Sequence, residues 1–228
     1  MSTSAAGTSS APADGVPAAR YHDELTKREE QSPAVPPSVA AIADPGPLGL
    51  AGFAMTTFVL SVFNANIIGN AALEAVVLPL ALFYGGIAQL LAGMWEFKKN
   101  NTFGALAFTS YGAFWLAFAA YVKFVAGGLP AAQAHEATGL FLLAWTIFTV
   151  YMLVASMRTT GLLVAVFAVL TVTFILLTIG ALGNHTEATK IGGWLGLITA
   201  ALAWYGSMAG VTNATWGRSV LPTWPVNK

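Results

Sequence analysis

From Leu48 onward the chain consists of six apolar runs, residues 48–67, 73–95, 103–125, 137–157, 160–182 and 191–210, divided by short polar breaks. In a helix rising about 1.5 Å per residue, a run of about 20 residues crosses the ~30 Å hydrocarbon core of a bilayer. No water reaches that core, so every backbone N–H and C=O needs a partner, and for runs of this length a helix supplies it within the segment. The expected fold class is an all-α membrane protein, a six-transmembrane-helix bundle whose connections are too short to divide it into two domains.

The distribution of charge agrees. Charged residues make up 9% of the chain, and nine of the twenty, Asp14, Arg20, Asp23, Glu24, Lys27, Arg28, Glu29, Glu30 and Asp44, fall in the first 44 positions. Residues 1–43, rich in Ala, Pro and Ser, bury too little apolar surface to offset chain entropy and read as a disordered tail. They show no charged stretch followed by an apolar one, so a cleaved signal peptide is not expected. Residues 44–222 form the transmembrane domain, and residues 223–228 a short C-terminal tail.

Six crossings put both ends of the chain on one face. Arg20, Lys27, Arg28, Lys98, Lys99, Arg158, Arg218 and Lys228 lie on the face of the termini, and only Lys123 and Lys190 on the other. That bias places both termini in the cytoplasm. Within the spans, Gly85, Gly86 and Gly93 of the second and Gly192, Gly193 and Gly196 of the sixth suit close helix packing. Pro79 removes a backbone donor from the middle of the second span and predicts a kink there.

Several function classes are excluded on composition. Ten Lys and Arg balance ten Asp and Glu, which leaves no basic surplus for nucleic acid. The absence of cysteine rules out disulfides, thiolate metal sites and cysteine nucleophiles. His22, His135 and His185 fall in the tail and two loops without metal-ligand spacing, and no phosphate loop or nucleophile elbow appears. The expectation is a protein that is not an enzyme, with no catalytic residue, metal or cofactor.

The spans do carry neutral polar groups without cations to pair them. Hydroxyls such as that of Thr56 can bond back to their own helix. The amides of Asn64, Asn66 and Gln89 need several partners each, and so face either a polar lumen or a neighbouring helix. Asp44-Pro45-Gly46-Pro47-Leu48 and Asn100-Asn101-Thr102-Phe103 are helix starts, whose free N–H groups serve capping or attract a small anion. Glu74 is the carboxylate at the edge of an apolar run, suited either to the helix dipole or to carrying a proton.

Three segments bear a resemblance to a known family. DPGPLGLAGFAMTTF (residues 44–58) resembles the NPAPLGL signature of the acetate uptake transporters, also called succinate-acetate permeases. FYGGIAQLLAGMWEFKKNNTFGALAFTSYGAFWL (residues 83–116) is similar to the second and third helices of that family, with its YGG, AGxxE and NTFG elements. WGRSVLP (residues 216–222) resembles its C-terminal segment.

The resemblance implies a six-helix protomer in a homo-hexamer, each protomer with its own pore for acetate and related short carboxylates such as succinate, with proton coupling. It implies a plasma-membrane location and a hydrophobic constriction at Phe53, Tyr111 and Leu170. Pro47, Leu48, Gly49, Thr56, Asn64, Gln89, Asn101 and Thr102 become candidate substrate contacts, and Glu74 the proton-coupling candidate. Two positions depart from the family pattern: Asp44 stands in place of Asn, and Gly46 in place of Ala. A passive anion channel or an ammonia pathway remains an alternative reading, as does a membrane sensor or scaffold that transports nothing.

Overall fold

The structure is a computed structural model that describes Asp23, Lys27 and residues 42–226. In the N-terminal unit, Lys27 and Asp23 pair at 3.2 Å, one helical turn apart. The expected disorder of residues 1–43 otherwise lies outside the described residues.

Six helices are long and apolar enough to cross a membrane: Gly46–Asn64, Ala72–Lys98, Thr102–Gly128, Ala134–Ser156, Gly161–Leu182 and Thr186–Trp216. The fourth helix begins before His135, which therefore sits in its first turn rather than in a loop, its Nδ1 3.1 Å from the Ala181 carbonyl. The sixth runs on to Trp216, well past the apolar run, and stops where Gly217 turns left-handed at φ 64°. Three tight turns between spans are made by asparagines in the same region, Asn66, Asn100 and Asn184. Asparagine tolerates that conformation because its short side chain bonds locally.

The second span is the irregular one. A 3-10 turn over Ala71–Val76 leads into an α-helix Val77–Leu82, a π-helical stretch Phe83–Ala88, and a second α-helix Gln89–Lys98. Pro79 lies within the α-helix Val77–Leu82, between the two irregular stretches, and Thr56 Oγ1 reaches the Leu80 carbonyl at 3.5 Å beside it. The π-helical turns reset the phase of the helix beyond them. Gln89, Ala92, Gly93 and Glu96 then form its buried face.

Packing around the bundle is uneven. The first span lies along the sixth, the sixth along the fifth, the fifth along the fourth, and the second along the third. Glycines allow these close approaches. A methyl on Gly112 would sit 2.7 Å from the Leu90 backbone nitrogen, and one on Gly193 would collide with the backbone of Ala65. The third and fourth spans stand farther apart, and aromatic rings fill the gap. Tyr111–Phe148 and Phe114–Trp145 meet edge to face at 5.2 and 5.1 Å, while Phe114 stacks on Phe141 at 5.7 Å. Outward positions such as Phe83, Phe124, Leu140 and Val154 are exposed apolar side chains, as a lipid-facing surface requires.

Candidate functional site

Two cavities open from opposite ends of the bundle. The larger, about 470 Å³, lies among the starts of the first, third and fifth spans and the ends of the second and sixth. The smaller, about 190 Å³, lies among Asn64, Glu74, Tyr121, Thr138, Ala181 and Thr189, at the other ends of the helices. Phe53 and Leu170 line both.

These two residues and Tyr111 are 5%, 3% and 3% exposed and belong to one apolar core cluster. Phe53 packs edge-on to Tyr111 with ring centroids 5.5 Å apart. The Tyr111 hydroxyl lies 2.9 Å from Thr149 Oγ1, which itself donates to the Trp145 carbonyl, so the ring is held by the fourth span. Phe53 of the first span and Leu170 of the fifth thus stand in the walls of both cavities, and Tyr111 of the third in the wall of the larger.

The mouth of the larger cavity is polar. Asp44 Oδ1 accepts from Lys99 Nζ at 2.7 Å and from the Gly46 backbone N–H at 3.0 Å. The substituted carboxylate of the signature motif is therefore neutralised by one cation and one helix-start donor. Asn101 caps the third span by accepting from Gly104 N at 3.2 Å, and its Nδ2 donates to Glu96 Oε2 at 2.8 Å. The C-terminal segment folds back here as well. The Gly161 and Leu162 N–H groups donate to the carbonyls of Trp224 and Thr223 at 2.6 and 3.3 Å, so that segment caps the fifth span. Asn213 holds its approach, accepting from Val220 N and Leu221 N.

The sequence-derived candidates divide accordingly. Pro47, Gln89 and Asn101 line the larger cavity with the three constriction residues, while Asn64 and Glu74 line the smaller. Leu48, Gly49, Thr56 and Thr102 line neither. Leu48 is 44% exposed, Gly49 packs on the Phe108 ring, Thr56 donates to the Gly52 carbonyl at 3.0 Å, and Thr102 is exposed. By sequence Glu96 falls in the polar break between the apolar runs that end at residue 95 and begin at residue 103. It is instead 1% exposed, in the last turn of the second span and in the wall of the larger cavity. Its spacing of seven from Gln89 puts both on one helix face, a signal the sequence does contain. No cluster of three or more metal-ligating side chains occurs among the described residues.

The sequence pattern of the GPR1/FUN34/yaaH family matches residues 27–228. The chain belongs to this family. Among members of the GPR1/FUN34/yaaH family, the succinate-acetate/proton symporter SatP of Escherichia coli K12 is 44% identical over 181 residues, covering 79% of this chain and 95% of that protein. Acetate permease A of Emericella nidulans is 40% identical over 197 residues, covering 79% of this chain and 65% of that one. Ammonia transport outward protein 2 of Saccharomyces cerevisiae is 45% identical over 184 residues, covering 78% and 64%. A solved structure of the bacterial acetate channel SatP superposes with a TM-score of 0.74 at 42% identity, covering 80% of this chain and 99% of that chain.

Proposed function

We propose that the protein carries acetate and related short-chain carboxylates across a membrane, along a path in each protomer that joins the two cavities past Phe53, Tyr111 and Leu170. The observation that carries this reading is the lining shared by the cavities. Phe53 and Leu170 belong to both, so a solute passing between opposite ends of the bundle meets them. An apolar neck suits the methyl group of a small acid better than a hydrated inorganic anion, whose charge is costly to desolvate. The names of the SatP and acetate permease relatives support the substrate class.

The proposal extends to proton coupling, to a homo-hexamer, and to a plasma-membrane location with both termini in the cytoplasm. The symporter name of the SatP relative and the excess of Lys and Arg on the terminal face support the first and last of these. The protein acts as a carrier or channel rather than an enzyme. Asn64, Gln89 and Asn101 are the proposed polar contacts along the two cavities and Pro47 an apolar one; Leu48, Gly49, Thr56 and Thr102 support them from outside the lining. Glu74, in the wall of the smaller cavity, is the proposed site of proton exchange on that side.

The test is uptake of radiolabelled acetate by proteoliposomes, with and without a proton gradient and in competition with succinate and formate. Uptake driven by the gradient supports symport, gradient-independent uptake supports a passive channel, and absence of acetate uptake overturns the reading. The Saccharomyces cerevisiae relative named for outward ammonia transport favours a second reading, passage of ammonia through the same neutral neck, which the liposomes test with an internal pH indicator.

A further inference from the structure

Among the described residues four buried side chains leave a polar atom without a hydrogen-bond partner, Thr57, Gln89, Thr109 and Trp115, and of these Gln89 lines the larger cavity. It is 1% exposed, lines the larger cavity, and its Oε1 has no hydrogen-bond partner. It lies at the level of the neck: a methyl on Gly52, the residue before Phe53, would sit 3.5 Å from its Cβ. An unpartnered buried acceptor is destabilising, and a protein that keeps one usually has a ligand or water for it.

The charges of the cavity narrow the choice of ligand. Its ionisable lining groups are Asp44 before the first span, Glu96 and Lys99 of the second, and Tyr111 of the third; the fifth and sixth spans contribute none. Lys99, the one cation among them, is held by Asp44 at 2.7 Å. The Tyr111 hydroxyl is paired with Thr149. A carboxylate anion reaching Gln89 would therefore pass two carboxylates and one engaged cation, and it could accept from the amide NH₂ only, leaving the amide oxygen still without a donor. An undissociated carboxyl group meets a complement, because its O–H donates to the amide oxygen while its C=O accepts from the amide NH₂. Turning the amide over changes nothing, since it always offers one acceptor beside one donor.

We propose that Gln89 is the recognition site for the undissociated form of the acid, pairing with the COOH group at the entrance to the neck. The inference rests on the carboxylate-transport reading and deepens it. Acetate binds a proton from water on one side, crosses as the neutral acid, and releases the proton on the other. One proton and one acetate move together, with the proton on the substrate's own oxygen. Coupling then needs no protein side chain to carry the proton through the neck.

Acetamide tests the proposal, because it matches acetic acid in size, offers the same donor and acceptor pair, and is uncharged at every working pH. In proteoliposomes acetamide is expected to inhibit labelled acetate uptake and to permeate by the same path, read by stopped-flow swelling. Gln89→Leu, which replaces the orphan amide by an apolar group of similar length, should keep the fold and weaken acetamide inhibition about tenfold or more. The wild-type protein supplies a further measurement. Above the titration range of simple carboxyls, the half-saturating total acetate should rise about tenfold per pH unit, with acetamide potency unchanged. Acetamide that is inert toward a protein actively carrying acetate overturns the proposal, as does equal potency on Gln89→Leu or a half-saturating acetate concentration that ignores pH. If acetate is not carried but acetamide permeates in a Gln89-dependent way, the transport reading fails and the site stands.

Discussion

Replacing Phe53 by alanine tests the neck most directly. The ring is 5% exposed, meets Tyr111 edge-on at 5.5 Å, and separates a cavity of about 470 Å³ from one of about 190 Å³. Truncating a buried Phe costs about 3–5 kcal/mol. Because part of this ring already faces empty volume, the low end applies, about 3 kcal/mol, or a melting temperature lower by roughly 6–12 °C. The functional change should be larger than the structural one. With the ring gone the cavities merge, and the path no longer excludes solutes wider than a small acid. Proteoliposomes loaded with labelled acetate, succinate and gluconate should retain gluconate with the wild-type protein and lose all three with Phe53→Ala. A variant that melts within the expected range yet still retains gluconate would refute the assignment of the neck.

Other outcomes follow from the same geometry. Lys99→Gln breaks the pair with Asp44, whose groups are half-exposed, so stability should fall by no more than about 1 kcal/mol while the salt dependence of acetate uptake changes; a melting shift far beyond that would show the pair to be structural. Glu74→Gln removes the carboxylate of the smaller cavity, and acetate uptake measured against external pH should change its profile; an unaltered profile removes Glu74 from proton exchange. The chain contains no cysteine, so single cysteines at positions 99 and 187 label on a silent background. A membrane-impermeant maleimide applied outside intact cells should modify the second and not the first, and the reverse would invert the orientation.

The six spans were legible because run length alone answers to bilayer thickness, and the glycine faces because close packing leaves no other residue type. Pro79 marks the second span as irregular, but the π-helical stretch Phe83–Ala88 lies beyond it around the Gly85-Gly86 pair, which the sequence presents only as a packing face. That stretch decides which residues face inward after it. Glu96 shows the consequence: next to Lys98, Lys99 and two asparagines it reads as loop, and only the phase of the preceding helix reveals it as buried. Phe53, Tyr111 and Leu170 look like any apolar positions, and resemblance rather than pattern brought them together. The last turn-and-strap contacts of Thr223 and Trp224 depend on Asn213 and Tyr205, which are remote in sequence and carry no local signal.

The seam between the third and fourth spans divides the molecule into parts with different tolerance to change. Where glycines bring backbones together, almost any added atom displaces a helix. Where Tyr111, Phe114, Trp145 and Phe148 fill the space between helices, ring size can change with less movement of the backbones, and Tyr111 and Phe114 carry such a change to the walls of the larger and smaller cavities. Selection for a bulkier or slimmer cargo therefore has a place to act that leaves assembly of the bundle intact. The adjustable part of this protein is the seam itself, and a library at Tyr111, Phe114 and Phe141, which line the cavities, is the shortest experimental route to a changed substrate range.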